Sequence, residues 1–255
     1  MKYKMIVMDL DRTLLHSDES ISDYTINTLN KLQTDGIKIV IATARPIREV
    51  ERVIGQLRFD SYIYHNGAVV QFENNVISHI GICNSDEIVN SMLQDNSSLK
   101  ISIEMNDRLY SNFNANQIWA KTEYIKTDDF KECSNNIAEK ILMEVHNNIN
   151  INKYINDGLY LQVSECNVAM IMNKAASKIN GIQLLANQYG IAIDEIVAFG
   201  DDYNDIDMIK ECGLGIAVNN AYNDVRKIAD DICECNEKDG VARYINDILY
   251  SGGYL

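Results

Sequence analysis

Two short apolar runs, each closing in acids, constrain this chain more than any other feature. Met5-Ile6-Val7-Met8 leads into Asp9-Leu10-Asp11-Arg12-Thr13-Leu14-Leu15, and Ile196-Val197-Ala198-Phe199-Gly200 leads into Asp201-Asp202-Tyr203-Asn204-Asp205. Runs of this length, punctuated at once by polar residues, read as buried strands. In an open parallel sheet the strand tips are where a ligand is held. Acids gathered at such tips suit a hard divalent cation.

What lies between and after these runs is an α/β rhythm. Ser22 or Asp23 reads as a helix N-cap, Tyr24, Ile26, Leu29 and Leu32 follow at helical spacing, and Gly36 stands at the C′ position. Ile37–Ala42 is β-branched and reads as a strand. Pro46, the only proline, is placed in the first turn of a helix running through Val50, Val53, Ile54 and Leu57. Ser61–Tyr64 reads as a further strand. Strand and helix in alternation predict right-handed parallel crossovers, a doubly wound Rossmann-like sheet. The pattern then changes: Ala68–Phe72 and Val76–Ile80 flank a hairpin turn, with helical stretches near 86–94 and 133–146 and strand-like runs at 101–105, 108–113, 159–164 and 168–172. This predicts an inserted α+β module over 83–173, between core segments 1–82 and 174–255. The α/β rhythm resumes from Ser177 with a helix to Tyr189, strands ending at Phe199 and Val218, a helix from Asn223, and a last helix after Asp239-Gly240.

Composition excludes several classes of partner. A net charge of −14 over 255 residues disfavours nucleic acid and anionic membranes, both of which reward basic surface. No apolar stretch approaches the roughly 20 residues that span a bilayer. The chain enters a strand almost at once, which predicts no secretory signal, a cytoplasmic location and reduced thiols. Cys83, Cys133, Cys166, Cys212, Cys233 and Cys235 lack paired metal-type spacing, so zinc is not expected.

Side chains two apart on a strand point the same way, so Asp9 and Asp11 can face one site. Close carboxylates repel unless a cation lies between them or one takes a proton. Phosphoryl transfer uses both solutions, with one carboxylate attacking phosphorus and the other moving a proton. An Asx turn with a helix cap explains the motif equally well when it is taken alone. Ile41-Ala42-Thr43-Ala44-Arg45 ends a strand with a hydroxyl and backbone N–H groups suited to an oxyanion, although Thr43 could simply cap the next helix. Lys178 lies early in the helix after the inserted module; lysines are usually solvated surface, and for Lys174 that reading wins.

Together these segments resemble the haloacid dehalogenase superfamily, specifically its Cof-like phosphatases with a large α/β cap. The signatures fall in order: DLDRTLL at 9–15, IATARP at 41–46, the lysine of AASKINGIQLL at 175–185, and FGDDYNDIDMI at 199–209. HNGA at 65–68, GIAVNNAYNDVRKIAD at 215–230 and EKDGVARYI at 237–245 echo the Cof-like group. The likeness is weak over the cap, at about 83–173.

The resemblance implies that Asp9 is the nucleophile and a Mg²⁺ ligand. It implies that Asp11 is the general acid/base and binds the metal through its backbone carbonyl. Thr43 and the Ala44 N–H would hold the phosphoryl group, and Lys178 would complete that cradle. Asp201 would be the third metal ligand, with Asp205 behind it, and Asn204 and Asn66 would touch the phosphate or leaving group. Arg12 stands where many relatives carry glycine, in a tight turn that would strain it if φ were positive.

The activity implied is Mg²⁺-dependent hydrolysis of a small phosphorylated metabolite, a sugar phosphate or phosphorylated cofactor, through an aspartyl-phosphate, by a monomer or homodimer. A phosphomannomutase-like phosphoryl transferase is the nearest alternative. A non-catalytic phosphate- or Mg²⁺-sensing module is another, and Asp11 argues against it.

Overall fold

The structure, a computed structural model, describes residues 2–55, 57–145, 150–163 and 167–255. Among these residues the chain forms β1 (Met5–Met8), α1 (Asp23–Thr34), β2 (Lys38–Ala42), α2 (Ile47–Ile54), β3 (Ser61–Tyr64), β4 (Val69–Phe72) and β5 (Asn75–His79). It continues with α3 (Ser85–Asp95), β6 (Ile101–Met105), β7 (Arg108–Ser111), β8 (Ile125–Lys126), β9 (Lys140–Glu144), β10 (Leu159–Val163) and β11 (Val168–Asn173). The last part comprises α4 (Lys178–Tyr189), β12 (Ile196–Gly200), α5 (Ile206–Glu211), β13 (Leu214–Val218), α6 (Asn223–Ile228), β14 (Asp231–Cys233) and α7 (Gly240–Tyr244), which runs on as a wider helical turn, Ile245–Tyr250. Two compact units result: Met1–Ser78 with Ser177–Leu255, and His79–Ala176.

The first unit is built on a sheet of order β14-β13-β12-β1-β2-β3-β4-β5. From β14 to β3 every neighbouring pair is parallel, and β4 runs antiparallel to β3. Connections run outward from β1 through β2 to β3 on one side, and from β12 through β13 to β14 on the other. The direction of winding therefore reverses between β1 and β12, the switch point where an open sheet leaves a crevice at its carboxyl edge. Met5, Ile6, Val7 and Met8 are fully buried, as are Val197, Ala198 and Phe199. Parallel strands covered on both faces require such unbroken apolar runs.

Local signals set the helix ends. The Ser22 hydroxyl accepts from the Thr25 N–H at 3.1 Å to start α1, and Gly36, at φ +82°, follows its end. Pro46 is the N-cap of α2 rather than a residue of its first turn, and α2 stops at Ile54, short of Leu57, because Gly55 turns away at φ +58°. β14 has no counterpart in the sequence reading: it has three residues, two of them exposed, and so lacks an apolar run.

The second unit carries a sheet of order β10-β11-β9-β6-β7-β8. Its pairs are antiparallel except β7 with β8. Ile101, Ile103, Ile141, Met143 and Ile171 pack with Val89 and Met92 of α3 on one face. Leu109, Leu142 and Val168 pack with Ala115, Trp119 and Tyr124 on the other. The helix expected at 133–146 is not formed: a short turn at Lys131–Cys133 precedes strand β9. Lys140-Ile141-Leu142-Met143-Glu144 is rich in helix formers, but β6 and β11 pair with it on both edges and bury it, so tertiary pairing overrides propensity. The end of that expected helix at residue 146, residue 164 of the expected run 159–164, and Cys166 lie outside the described residues. Cys83, Cys133, Cys212, Cys233 and Cys235 are free thiols. No helix among the described residues is long and apolar enough to cross a membrane.

Candidate active site

β1 and β12 lie side by side, with Met8 opposite Phe199, so the residues that follow them emerge together. The Asp9 N–H donates to the Phe199 carbonyl at 3.0 Å and carries the pairing one residue past the strand. Asp9, Asp201 and Asp205 each bring a carboxylate oxygen within 4.8 Å of the others, and all three are buried. Lys178, the first residue of α4, is 1% exposed and enters this group. Its Nζ donates to Asp9 Oδ1 at 2.5 Å and to Asp205 Oδ1 at 2.6 Å. Ser177 caps α4 by accepting from the Asn180 N–H at 3.2 Å, which fixes the helix start and with it the lysine.

Charge does not balance here. Burial works against the Lys178 ammonium, but the Asp205 and Asp9 carboxylates outweigh it and hold the lysine charged above its ordinary range. Burial pushes Asp9 up despite Lys178, and the Asp205, Asp201 and Asp11 charges push the same way. Asp201 is pushed up to about 7, by burial first and then by Asp205. One buried lysine cannot neutralise three buried acids, and an all-oxygen donor set of this kind fits a hard divalent cation such as Mg²⁺.

The three acids are not equivalent. Both Asp205 oxygens are engaged: Oδ1 accepts from Lys178, and Oδ2 accepts from the Asp201 and Asp202 N–H groups at 2.9 and 3.1 Å. Asp205 therefore braces the loop and orients the lysine. Gly200 makes room for it, since a Cβ there would stand 2.6 Å from the Asp205 Cγ and Oδ2. Asp201 Oδ1 accepts from the Thr13 hydroxyl at 2.9 Å. Thr13 is the fifth residue of the DLDRTLL signature, a position that the sequence alone does not mark as a partner of Asp201.

Asp11 stands apart from the buried acids. Its carboxylate is half exposed and accepts from Arg45 Nε at 2.8 Å and from Arg45 Nη2 at 2.5 Å. The Nη2 of Arg45 also donates to Glu19 at 2.9 Å, and Glu19 in turn accepts from Arg52 Nη1 at 2.8 Å. Arg52 and Arg45 bring the Glu19 carboxyl down to about 2. Neither Arg45 nor Glu19 is singled out by the sequence as a partner of Asp11, although Arg45 belongs to the IATARP signature.

Thr43 follows β2 and is fully buried, while Ala44 beside it is partly buried. The Thr43 Oγ1 accepts from the Arg45 N–H at 3.1 Å. Its carbonyl accepts from the Asn66 N–H at 2.9 Å. His65, Asn66 and Gly67 all have positive φ, at +47°, +54° and +103°. Strained turns of this kind persist where the surroundings fix them, often at functional sites. Here the surroundings are specific: a Cβ on Gly67 would lie 2.2 Å from the Ser177 carbonyl oxygen, so the turn abuts the start of α4. The Asn204 amide donates to Asn66 Oδ1 at 3.0 Å, and Asn204 Oδ1 is buried without a partner among the described residues. One turn thus ties Thr43, the helix of Lys178 and Asn204 together. A groove of about 850 Å³ lined by Ile232, Tyr244 and Ile248 lies elsewhere in this unit and includes none of these residues. The chemistry follows the strand tips instead.

Residues 6–245 match the family model of haloacid dehalogenase-like hydrolases. The chain belongs to that family. As a haloacid dehalogenase-like hydrolase it is similar to two 5-amino-6-(5-phospho-D-ribitylamino)uracil phosphatases of Bacillus subtilis (strain 168). One is 26% identical over 261 residues, covering 95% of this chain and 96% of the relative. The other is 28% identical over 254 residues, covering 95% and 94%. The hydrolase also superimposes on the crystal structure of a haloacid dehalogenase-like hydrolase from Bacteroides thetaiotaomicron, with TM-score 0.84, 26% identity, and 96% and 99% of the two chains covered.

Proposed function

We propose that this hydrolase is a Mg²⁺-dependent phosphomonoesterase acting on a small phosphorylated metabolite. The observation that carries the reading is Lys178 held between Asp9 and Asp205 in a buried acid cluster at the switch point of the sheet. Asp9 and Asp201 would hold the metal with the Asp11 carbonyl, and Asp205 would stand behind them. Bound there, Mg²⁺ would offset the charge of the acids and of the phosphate.

Asp9 supplies the nucleophile: a carboxylate oxygen attacks phosphorus, the phosphorus–oxygen bond of the ester breaks, and an aspartyl-phosphate forms. Lys178 favours the ionised form of Asp9 against its burial and orients it for that attack. Thr43 and Ala44 hold the phosphoryl oxygens as charge moves onto them. Asp11, released from Arg45 and carrying a proton, would give that proton to the departing alkoxide, then take one from the water that attacks the aspartyl-phosphate. Inorganic phosphate leaves and Asp9 is restored. Asn204, through its unpartnered amide oxygen, and Asn66 beside it would meet the phosphate or a hydroxyl of the leaving group. The inserted unit would govern which leaving groups enter. The Bacillus relatives are named for a ribityl phosphate, which favours a substrate of that size carrying a phosphate on a polyol or sugar chain.

Phosphate release from p-nitrophenyl phosphate in Mg²⁺ buffer tests the reading. The wild-type chain should turn over, and Asp9→Asn should lose at least about three orders of magnitude with its circular dichroism unchanged. Full activity in Asp9→Asn would overturn the nucleophile assignment. A panel of phosphorylated polyols and sugars then identifies the leaving group. Transfer to a second hydroxyl without free phosphate would convert the assignment to a phosphoryl transferase.

A further inference from the structure

Arg12 adopts φ +59° and ψ +3°, the left-handed conformation that glycine takes without penalty. The turn is nonetheless closely held. The Asn220 amide donates to the Arg12 carbonyl at 2.7 Å, and Arg12 Nη2 donates to the Asn220 carbonyl at 3.1 Å. Asn220 Oδ1 accepts from the Asn236 N–H at 3.1 Å. The guanidinium lies 5.4 Å from the centre of the Tyr222 ring, which stacks on Tyr203. Its Nε stands 3.6 Å from Asp201 Oδ2, the oxygen opposite the one that Thr13 engages. A side chain that the backbone accepts at a cost therefore brings a permanent positive charge to one of the buried acids.

We propose that Arg12 is a built-in counter-cation for Asp201 that weakens divalent-ion binding at the acid cluster and so sets the metal affinity of the site. This inference rests on the reading of Asp9 and Asp201 as metal ligands. A guanidinium and a divalent cation both draw on the charge of Asp201, so each lowers the affinity for the other. The Arg12 side chain is 48% exposed, so its charge acts through a largely aqueous medium. A divalent cation that displaces the guanidinium from Asp201 Oδ2 forfeits a unit charge pair at 3.6 Å, which in water is worth roughly five- to tenfold in a binding constant. With the Arg12 end of the pair half exposed, salt screens its charge, so the effect should shrink as ionic strength rises.

Isothermal titration of the whole chain with MgCl₂, without substrate, tests this in Arg12→Met and Arg12→Gly. The methionine variant removes the charge and keeps the strained side chain, whereas the glycine variant removes both. Both should bind Mg²⁺ about five- to tenfold more tightly than wild type at low salt, with the difference narrowing in 0.5 M salt. Wild-type or weaker affinity in Arg12→Met overturns the inference, as does tighter binding confined to Arg12→Gly, which would assign the effect to the backbone. Asp201→Asn is the control: if it leaves Mg²⁺ binding unchanged, the cation-site reading fails, and the inference with it.

Discussion

Replacing Lys178 with methionine removes the one buried cation between Asp9 and Asp205 while keeping a side chain of similar length. The ammonium sits 2.5 Å from one carboxylate and 2.6 Å from the other. At an effective dielectric of about 20, each such pair carries roughly 6 kcal/mol of Coulomb attraction. The wild type spends much of that on desolvating the three groups, and the variant no longer desolvates the lysine. Breaking a buried pair typically costs about 3–5 kcal/mol, because the abandoned carboxylates stay buried. For a chain of this size that corresponds to a fall in Tm of roughly 6–20 °C. Differential scanning calorimetry in metal-free buffer measures the fall directly. Adding Mg²⁺ should recover part of it, about 2.7 kcal/mol at 100 times the Kd. Turnover should be lost even at temperatures where the variant is folded. A Lys178→Met variant with wild-type Tm and wild-type phosphate release would refute the argument that the lysine offsets part of the charge of the acid cluster.

Two further perturbations test the surroundings of the site and the second unit. Gly200→Ala should place a methyl 2.6 Å from the Asp205 carboxylate, costing about 1–3 kcal/mol in urea denaturation and depressing kcat by displacing Asp205 from Lys178; unchanged stability and kcat would contradict the bracing role of Asp205. His79 Nε2 lies 2.9 Å from Glu139 Oε1 in the second unit, and that hydrogen bond raises its pKa against partial burial. A raised histidine contributes stability that is fully present below its unfolded value of about 6.5 and is lost as pH rises through the folded value. The Tm difference between wild type and His79→Gln should therefore be larger at pH 6 than at pH 9; an equal difference at both would contradict the ion pair.

What the sequence makes legible follows from which interactions are local. β1 and β12 are readable because strands buried on both faces must be continuously apolar, and the acids after them mark their tips. The starts of α1 and α4 are readable because Ser22 and Ser177 cap through residues three positions away. β9 is not, because nothing within Lys140–Glu144 distinguishes a central strand from a helix; β6 and β11 decide it. β14 is hidden by its shortness and exposure. The same division holds in the site. The gathering of Asp9 and Asp201 is visible once the strand tips are placed together, and the family resemblance adds Lys178. The turning of Asp11 toward Arg45, the support of Thr13 for Asp201 and the approach of Arg12 to Asp201 depend on side-chain directions across distant loops. Those contacts lie 34, 188 and 189 residues apart in the chain, beyond the reach of any spacing rule.

The central claim is that Asp9 becomes covalently phosphorylated during turnover. Rapid acid quenching after mixing with ³²P-labelled p-nitrophenyl phosphate and Mg²⁺, followed by peptide mapping, reads that bond directly. Label should appear on the peptide containing Asp9, should accumulate further in Asp11→Asn where water attack is slowed, and should vanish in Asp9→Asn. Turnover at the wild-type rate with no label on that peptide, or with label on a different residue, would contradict the account.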